Sequence, residues 1–156
     1  HYIEKLSASN TSNFDPGNNN TGAIITFGAA QGTTVNDVML DVAGKVTFNV
    51  TGSYNIQQIY YGQAAINNIP ILNFKTVKDG SDQIGPTSTT RFKSNNSLER
   101  HRIEINSLID VIAGSYYHFW VQNPTSGAAG QLSNQVTDAA WGTDVPCAQL
   151  IITKLQ

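Results

Sequence analysis

The chain has 156 residues, enough for one domain with its own core. Only 13% of the residues are charged, the formal net charge is −2 and there is no basic run, which argues against a nucleic-acid partner; no apolar stretch reaches the length of a membrane span. Asn, Thr, Gly and Ser are abundant, while Met and Trp are scarce, a mixture that suits strands and turns better than helices.

The chain begins at His1 rather than Met, which points to a processed chain, an artificially cut one, or a piece of something longer. "YIEKLSA" (2–8) alternates and predicts an opening strand; "SNTSNFDPGNNNTG" (9–22) reads as a polar loop. "AIITFGA" (23–29) predicts a second strand. "DVMLDV" (37–42) and "KVTFNV" (45–50) flank Ala43-Gly44, a tight connection. In the latter, Val46, Phe48 and Val50 share one face and Lys45, Thr47 and Asn49 the other, the period of a half-buried strand.

"GSYNIQQIYYGQ" (52–63) and "IPILNFKTV" (69–77) are further β-rich runs, followed by "KDGSDQIGPTSTT" (78–90), which reads as a long hydrophilic loop. "ERHRIEINSLIDV" (99–111) alternates through Ile103 and Ile105. "SYYHFWVQ" (115–122) is the most aromatic run, a loop is expected from Asn123 to about Val145, and "CAQLIITKL" (147–155) closes the chain. Cys147 is the sole cysteine, so no intrachain disulfide forms; beside an apolar run it reads as a small buried residue. Sequons occur at Asn10, Asn19, Asn49 and Asn95, a frequency that so Asn- and Thr-rich a composition produces readily.

Eight to ten short strands in one domain predict an all-β, two-sheet sandwich of jelly-roll type. Residues 1–22 would form the N-terminal strand and linker, and 23–156 the core sandwich. Three segments carry a family likeness. "GKVTFNVTGSYNIQQIYY" (44–61), "HRIEINSLIDVIAGSYYHFWVQ" (101–122) and "CAQLIITKLQ" (147–156) resemble, in order, elements of the C1q/TNF-like jelly roll. These are its strand-Gly-x-Tyr run, its alternating strand with a following Gly and apolar strand, and its terminal strand, which returns to the centre of the inner sheet. Ser115 stands where that superfamily often has Asp. The resemblance implies a homotrimer whose threefold axis is lined by the sheet holding the first, central and last strands.

Within "SYYHFWVQ", Tyr117, Phe119 and Val121 share a face assigned to the core. Tyr116, His118 and Trp120 share the other, which a trimer would bury against symmetry mates; the alternative is a loop of the same chain lying across them.

Catalytic and metal chemistry find little support. No G-x-S-x-G elbow or phosphate loop is present, and no paired carboxylates stand out. Asp79 and Asp82 in "KDGSD" are too few for a calcium shell and read as turn acids. A terminal His1 with His101 or His118 could form a copper brace, a remote alternative because such sites sit on immunoglobulin-like sandwiches.

The expectation is therefore a non-enzymatic, cofactor-free, trimeric module exposed on a virion or outside a cell. As a virus or phage spike, fibre-head or capsid-decoration domain, joined to an N-terminal shaft or capsid anchor, it would bind a glycan or protein receptor through loops. The ligand-binding candidates are Trp141, Asp138 and Asp144 in the late loop and Asp79 and Asp82 in the earlier one. The alternative is a cellular or bacterial TNF-like lectin, or the trimerising C-terminal domain of a collagen-like surface protein.

Overall fold

A computed structural model describes residues 2–31, 36–65, 67–95, 99–134, 140 and 144–156, with side chains throughout these except at Tyr2, Gln31 and 82–87. Twelve strands occur among them. They are β1 (Tyr2–Asn10), β2 (Ala23–Ile24), β3 (Ala30–Gln31), β4 (Val38–Leu40), β5 (Val46–Phe48) and β6 (Gly52–Ala64). There follow β7 (Ile71–Lys78), β8 (Asp82–Arg91), β9 (His101–Val111), β10 (Tyr116–Gln122), β11 (Gly130–Leu132) and β12 (Ala148–Leu155).

The strands form two antiparallel sheets. In the first, β6 is flanked by β9 along one edge and by β12 along the other; β1 follows β12, and β3 follows β1. β11 continues beside β6 beyond the end of β12. In the second, β10 is central. β7 runs along one edge with β8 outside it, while β5 and then β2 take the other edge, with β4 outside β5. The expected all-β, two-sheet jelly-roll sandwich is the observed fold.

Alternation explains which faces meet. On β6 the inward residues Tyr54, Ile56, Gln58 and Tyr60 are buried, as are Leu150 and Ile152 on β12 and Tyr117, Phe119 and Val121 on β10. Rings lock the sheets together. Phe48 meets Tyr54 edge-on at 4.8 Å and Tyr117 at 5.2 Å, and Tyr60 stacks on Phe74 at 4.9 Å. Such pairs each contribute about 0.5–1.5 kcal/mol beyond the area they bury. Their polar tips are satisfied: Tyr54 donates to the Val50 carbonyl at 2.8 Å, and Tyr60 to buried Gln58 at 2.6 Å. Cys147 lies wholly inside, and burial pushes its thiol up to about 11.

Three sequence expectations change. The "AIITFGA" strand is a two-residue rung, because this segment crosses between sheets. Ile25 N–H donates to Phe119 of the second sheet, whereas Gly28 N–H donates to Ser9 of the first, and β3 then pairs with β1. Ile25 and Phe27 are buried during the crossing, so their alternation survives without a continuous ladder.

The long loop expected over 78–90 is a tight hairpin followed by β8. Asp79 and Gly80 have φ of 49° and 81°, and Ser81 N–H donates to the Lys78 carbonyl at 3.1 Å, the pattern of a type I′ turn. Pro86 sits in β8, which is an edge strand where a missing N–H is tolerated, and the β7–β8 register shifts there. Finally, the late loop contains β11, anchored by wholly buried Leu132.

Candidate functional site

The three outward residues of β10 lie on the second sheet. They are not on the sheet that holds the first, central and last strands, which are β1, β6 and β12. The sequence reading expected Tyr116, His118 and Trp120 on that sheet, and β10 belongs to the other. Alternation told inward from outward on this strand, but not which sheet the strand joins.

All three rings are half-buried. Tyr116 and His118 meet edge-on at 5.8 Å. Lys45 lies 5.6 Å from the Tyr116 ring centre and Lys75 lies 5.1 Å from that of Trp120, both within cation–π range. The indole Nε1 of Trp120 is shielded from solvent and has no hydrogen-bond acceptor among the described residues.

The loop candidates separate. Asp79 is committed to the β7–β8 turn: its carboxylate accepts from Tyr116 N–H at 3.0 Å, and its own N–H donates to the Tyr116 carbonyl at 2.9 Å. Asp82 pairs with Lys78 through the backbone as the first residue of β8. Asp144 is half-buried and already engaged within the protein. Asp138 and Trp141 lie outside the described residues, as does His1.

His101 begins β9 on the first sheet, stacked on Phe92 at 4.4 Å, with Nε2 3.5 Å from the Glu99 carboxylate. His118 is on the other sheet. Among the described residues no three His, Cys, Asp or Glu side chains gather as a metal site. Three sequon asparagines use their amide nitrogens inside the fold: Asn10 donates to Thr26, Asn19 to Pro16 and Asn49 to Asn36, at 3.0, 3.2 and 2.6 Å. The Asn-rich composition thus has a local job, closing loops.

The outward face of the first sheet was not singled out from sequence. Ile59, Tyr61, Ile151, Leu108 and Leu155 point outward from β6, β12 and β9, by their alternation with buried neighbours. Leu108 is 62% exposed and Leu155 38%. Beside them runs a hydrogen-bonded row. Glu104 accepts from Asn106 at 3.0 Å and from Gln57 at 2.7 Å, and pairs with Arg102 at 2.5 Å. These bonds favour the carboxylate and hold its pKa down to about 2. The signal existed: "QQIYY" and "INSLID" place Ile59, Tyr61 and Leu108 out of phase with the core set.

Two grooves open at the sandwich edges. One, of about 620 Å³, is lined by Phe14, Phe27, Leu40 and Val42; another, of about 420 Å³, by Asp15, Asn18, Gln63, Asn68 and Gln131.

This architecture, a sandwich whose last strand returns between the first and the central strand, is the C1q/TNF-like jelly roll. The globular domain of zebrafish complement 1qA protein superposes with a TM-score of 0.56 at 10% identity, covering 99% of this chain and 98% of that one. The Eiger TNF structure from S. frugiperda gives 0.62 at 14% identity, covering 99% and 93%. No family model and no curated protein matches the chain. The likeness is one of fold.

Proposed function

We propose that this chain is the non-enzymatic, trimeric head of a virion surface protein, an attachment or decoration module that works through repeated weak contacts. The observation that carries trimerisation is the outward face of the β3-β1-β12-β6-β9 sheet. Ile59, Ile151 and Leu108 lie on it among Asn55, Gln57, Glu104 and Gln149, and Leu108 is 62% exposed, where water is a poor neighbour. Copies of the same chain are the occupants, because such a face is the sheet that the C1q/TNF-like resemblance assigns to a threefold axis. On this reading Tyr116, His118 and Trp120 look outward from the assembly instead of lining its axis.

The low charge and the polar, Asn-, Thr- and Gly-rich composition support an exposed, rigid module. Receptor contact, to a glycan or a protein, belongs to the outer surface and the loop carrying Asp138, Trp141 and Asp144. Three equivalent sites on one rigid head would convert millimolar contacts into useful avidity.

Light scattering at low micromolar concentration tests this. The expected mass is three times the 16.9 kDa chain, falling to a folded monomer in Ile151→Asp. A monomeric parent chain overturns the reading.

A further inference from the structure

The outward face of the second sheet carries a charge pattern of its own, and register places its members. Lys75 stands opposite Trp120, Asn73 opposite Gln122, and Arg91 of β8 opposite Ile71. Thr89 donates to Asn73 at 3.0 Å and Asn73 to Gln122 at 2.9 Å, which fixes the outward set across three strands. Arg91, two residues beyond Thr89, belongs to that set and is exposed, as is Lys75. Lys45 precedes wholly buried Val46 and so points outward, toward the Tyr116 ring. At ordinary strand rise and spacing, Lys45, Lys75 and Arg91 form a diagonal across the sheet with successive Cα atoms about 12–14 Å apart.

Among the described side chains no carboxylate lies between these cations. The positions crossed are Tyr116, His118, Trp120, Gln122 and Asn73. Asp41 and Asp79 stand in turns at the margin, and their carboxylates accept backbone N–H groups: Asp41 from Ala43 and Lys45, Asp79 from Tyr116. None of the three cations forms an ion pair among the described residues, whereas Arg102 on the first sheet is paired with Glu104. A chain of net charge −2 thus turns one face of three cations outward. Two of them are restrained, Lys45 over the Tyr116 ring and Lys75 over that of Trp120. A restrained ammonium loses less freedom when an anion arrives.

We propose that this diagonal docks a linear sulfated polysaccharide. A single small anion reaches only one of cations so far apart, and one exposed ion pair contributes little. A polyanion meets all three at once and releases the counterions condensed along it. Lysine heads sit over the two rings that a stacked nucleic-acid base would need, which favours a ligand read by its charges. The choice of a glycan among polyanions rests on the attachment reading; the charge pattern does not. The solution mass tests that reading, and the variants below test this one.

The test is a calorimetric titration of the whole chain with short heparin fragments over a range of salt concentrations, with unsulfated dextran and single-stranded poly(dT) as comparisons. Heparin should bind saturably, dextran not at all, and poly(dT) more weakly than heparin. Lys45→Gln, Lys75→Gln and Arg91→Gln should each weaken heparin binding by about fivefold. Each should also lower the slope of log affinity against log salt by about one. Lys154→Gln, on β12 of the first sheet, should change neither. The Lys75→Gln loss should recur in the Ile151→Asp background, so a failure to trimerise and a failure of this face are read separately. Absent heparin binding, an equal loss in Lys154→Gln, no loss in Lys75→Gln or Arg91→Gln, or poly(dT) bound as tightly as heparin overturns the proposal.

Discussion

β6 and β10 are the central strands of their sheets, and they are built alike inward and unlike outward. Inward, both present large rings: Tyr54 and Tyr60 from one, Tyr117 and Phe119 from the other, all nearly inaccessible. Outward, β6 and its neighbours show Ile59, Ile151 and Leu108 beside a hydrogen-bonded polar row, whereas β10 shows rings attended by Lys45 and Lys75. The first arrangement is suited to a surface of the same kind. The second sets lysine side chains over its rings. The difference teaches that a strand's hydrophobicity does not reveal its partner; the chemistry beside its outward residues does.

The sharpest way to break the likeness of the inner faces is to cut one ring. Phe119→Ala removes a wholly buried side chain that packs edge-on against Phe27 at 6.0 Å. It should cost about 3–5 kcal/mol in chemical denaturation, and Ile152→Ala on the opposite sheet about 2–5 kcal/mol. A loss below about 1 kcal/mol for either would mean the two faces do not share one core.

The outer faces should answer differently to a matched pair of changes. Ile151→Asp sets a charge on that outward face and should reduce the solution mass to that of one chain with strand content retained. Trp120→Ala should leave the mass unchanged. The reverse outcome would restore β10 as the interface.

The two hairpin turns give a smaller contrast. Gly44 and Gly80 both have positive φ, 83° and 81°. A Cβ at Gly44 would stand 2.4 Å from the Ile25 carbonyl oxygen, which is backbone, while at Gly80 its nearest neighbour is the Tyr116 hydroxyl at 3.1 Å. Gly80→Ala should therefore cost about 1–2 kcal/mol, the conformational penalty alone. Gly44→Ala should exceed it clearly in the same denaturation series.

Much of the sandwich was legible because period-two alternation is strong in "KVTFNV", "HRIEINSLIDV" and "SYYHFWVQ"; each became a strand, with its expected inward residues buried except Val50, which lies past the end of β5. The errors have two physical sources. Local pattern carries no information about which sheet a strand joins, so the rings of β10 were given to the wrong one. Turn chemistry was underweighted: Asp79-Gly80 is a primed-turn signal that makes "KDGSDQIGPTSTT" a hairpin, and Pro86 disguised an edge strand. The unpartnered indole N–H of Trp120 was beyond reach, since Asn20, Lys75 and Trp120 converge only through the pairing of β10 with β7 and the loop before β2.

The smallest expected effect concerns the polar row of the first sheet. Glu104 is held down to about 2 from an ordinary value of 4.5, by hydrogen bonds from Asn106, Gln57 and Arg102. A carboxyl whose folded pKa is depressed adds stability that is fully present above its unfolded pKa. That stability is lost as pH falls through the folded value. Its contribution should thus persist at neutral pH and fade from about 4.5 down to about 2. Glu104 is exposed, so solvent screening keeps the effect modest. In Glu104→Gln the stability difference from the parent chain should be constant above pH 5 and shrink steadily below it. A difference that does not change with pH would show that the row holds Glu104 by packing, and that the carboxylate charge contributes nothing to this face.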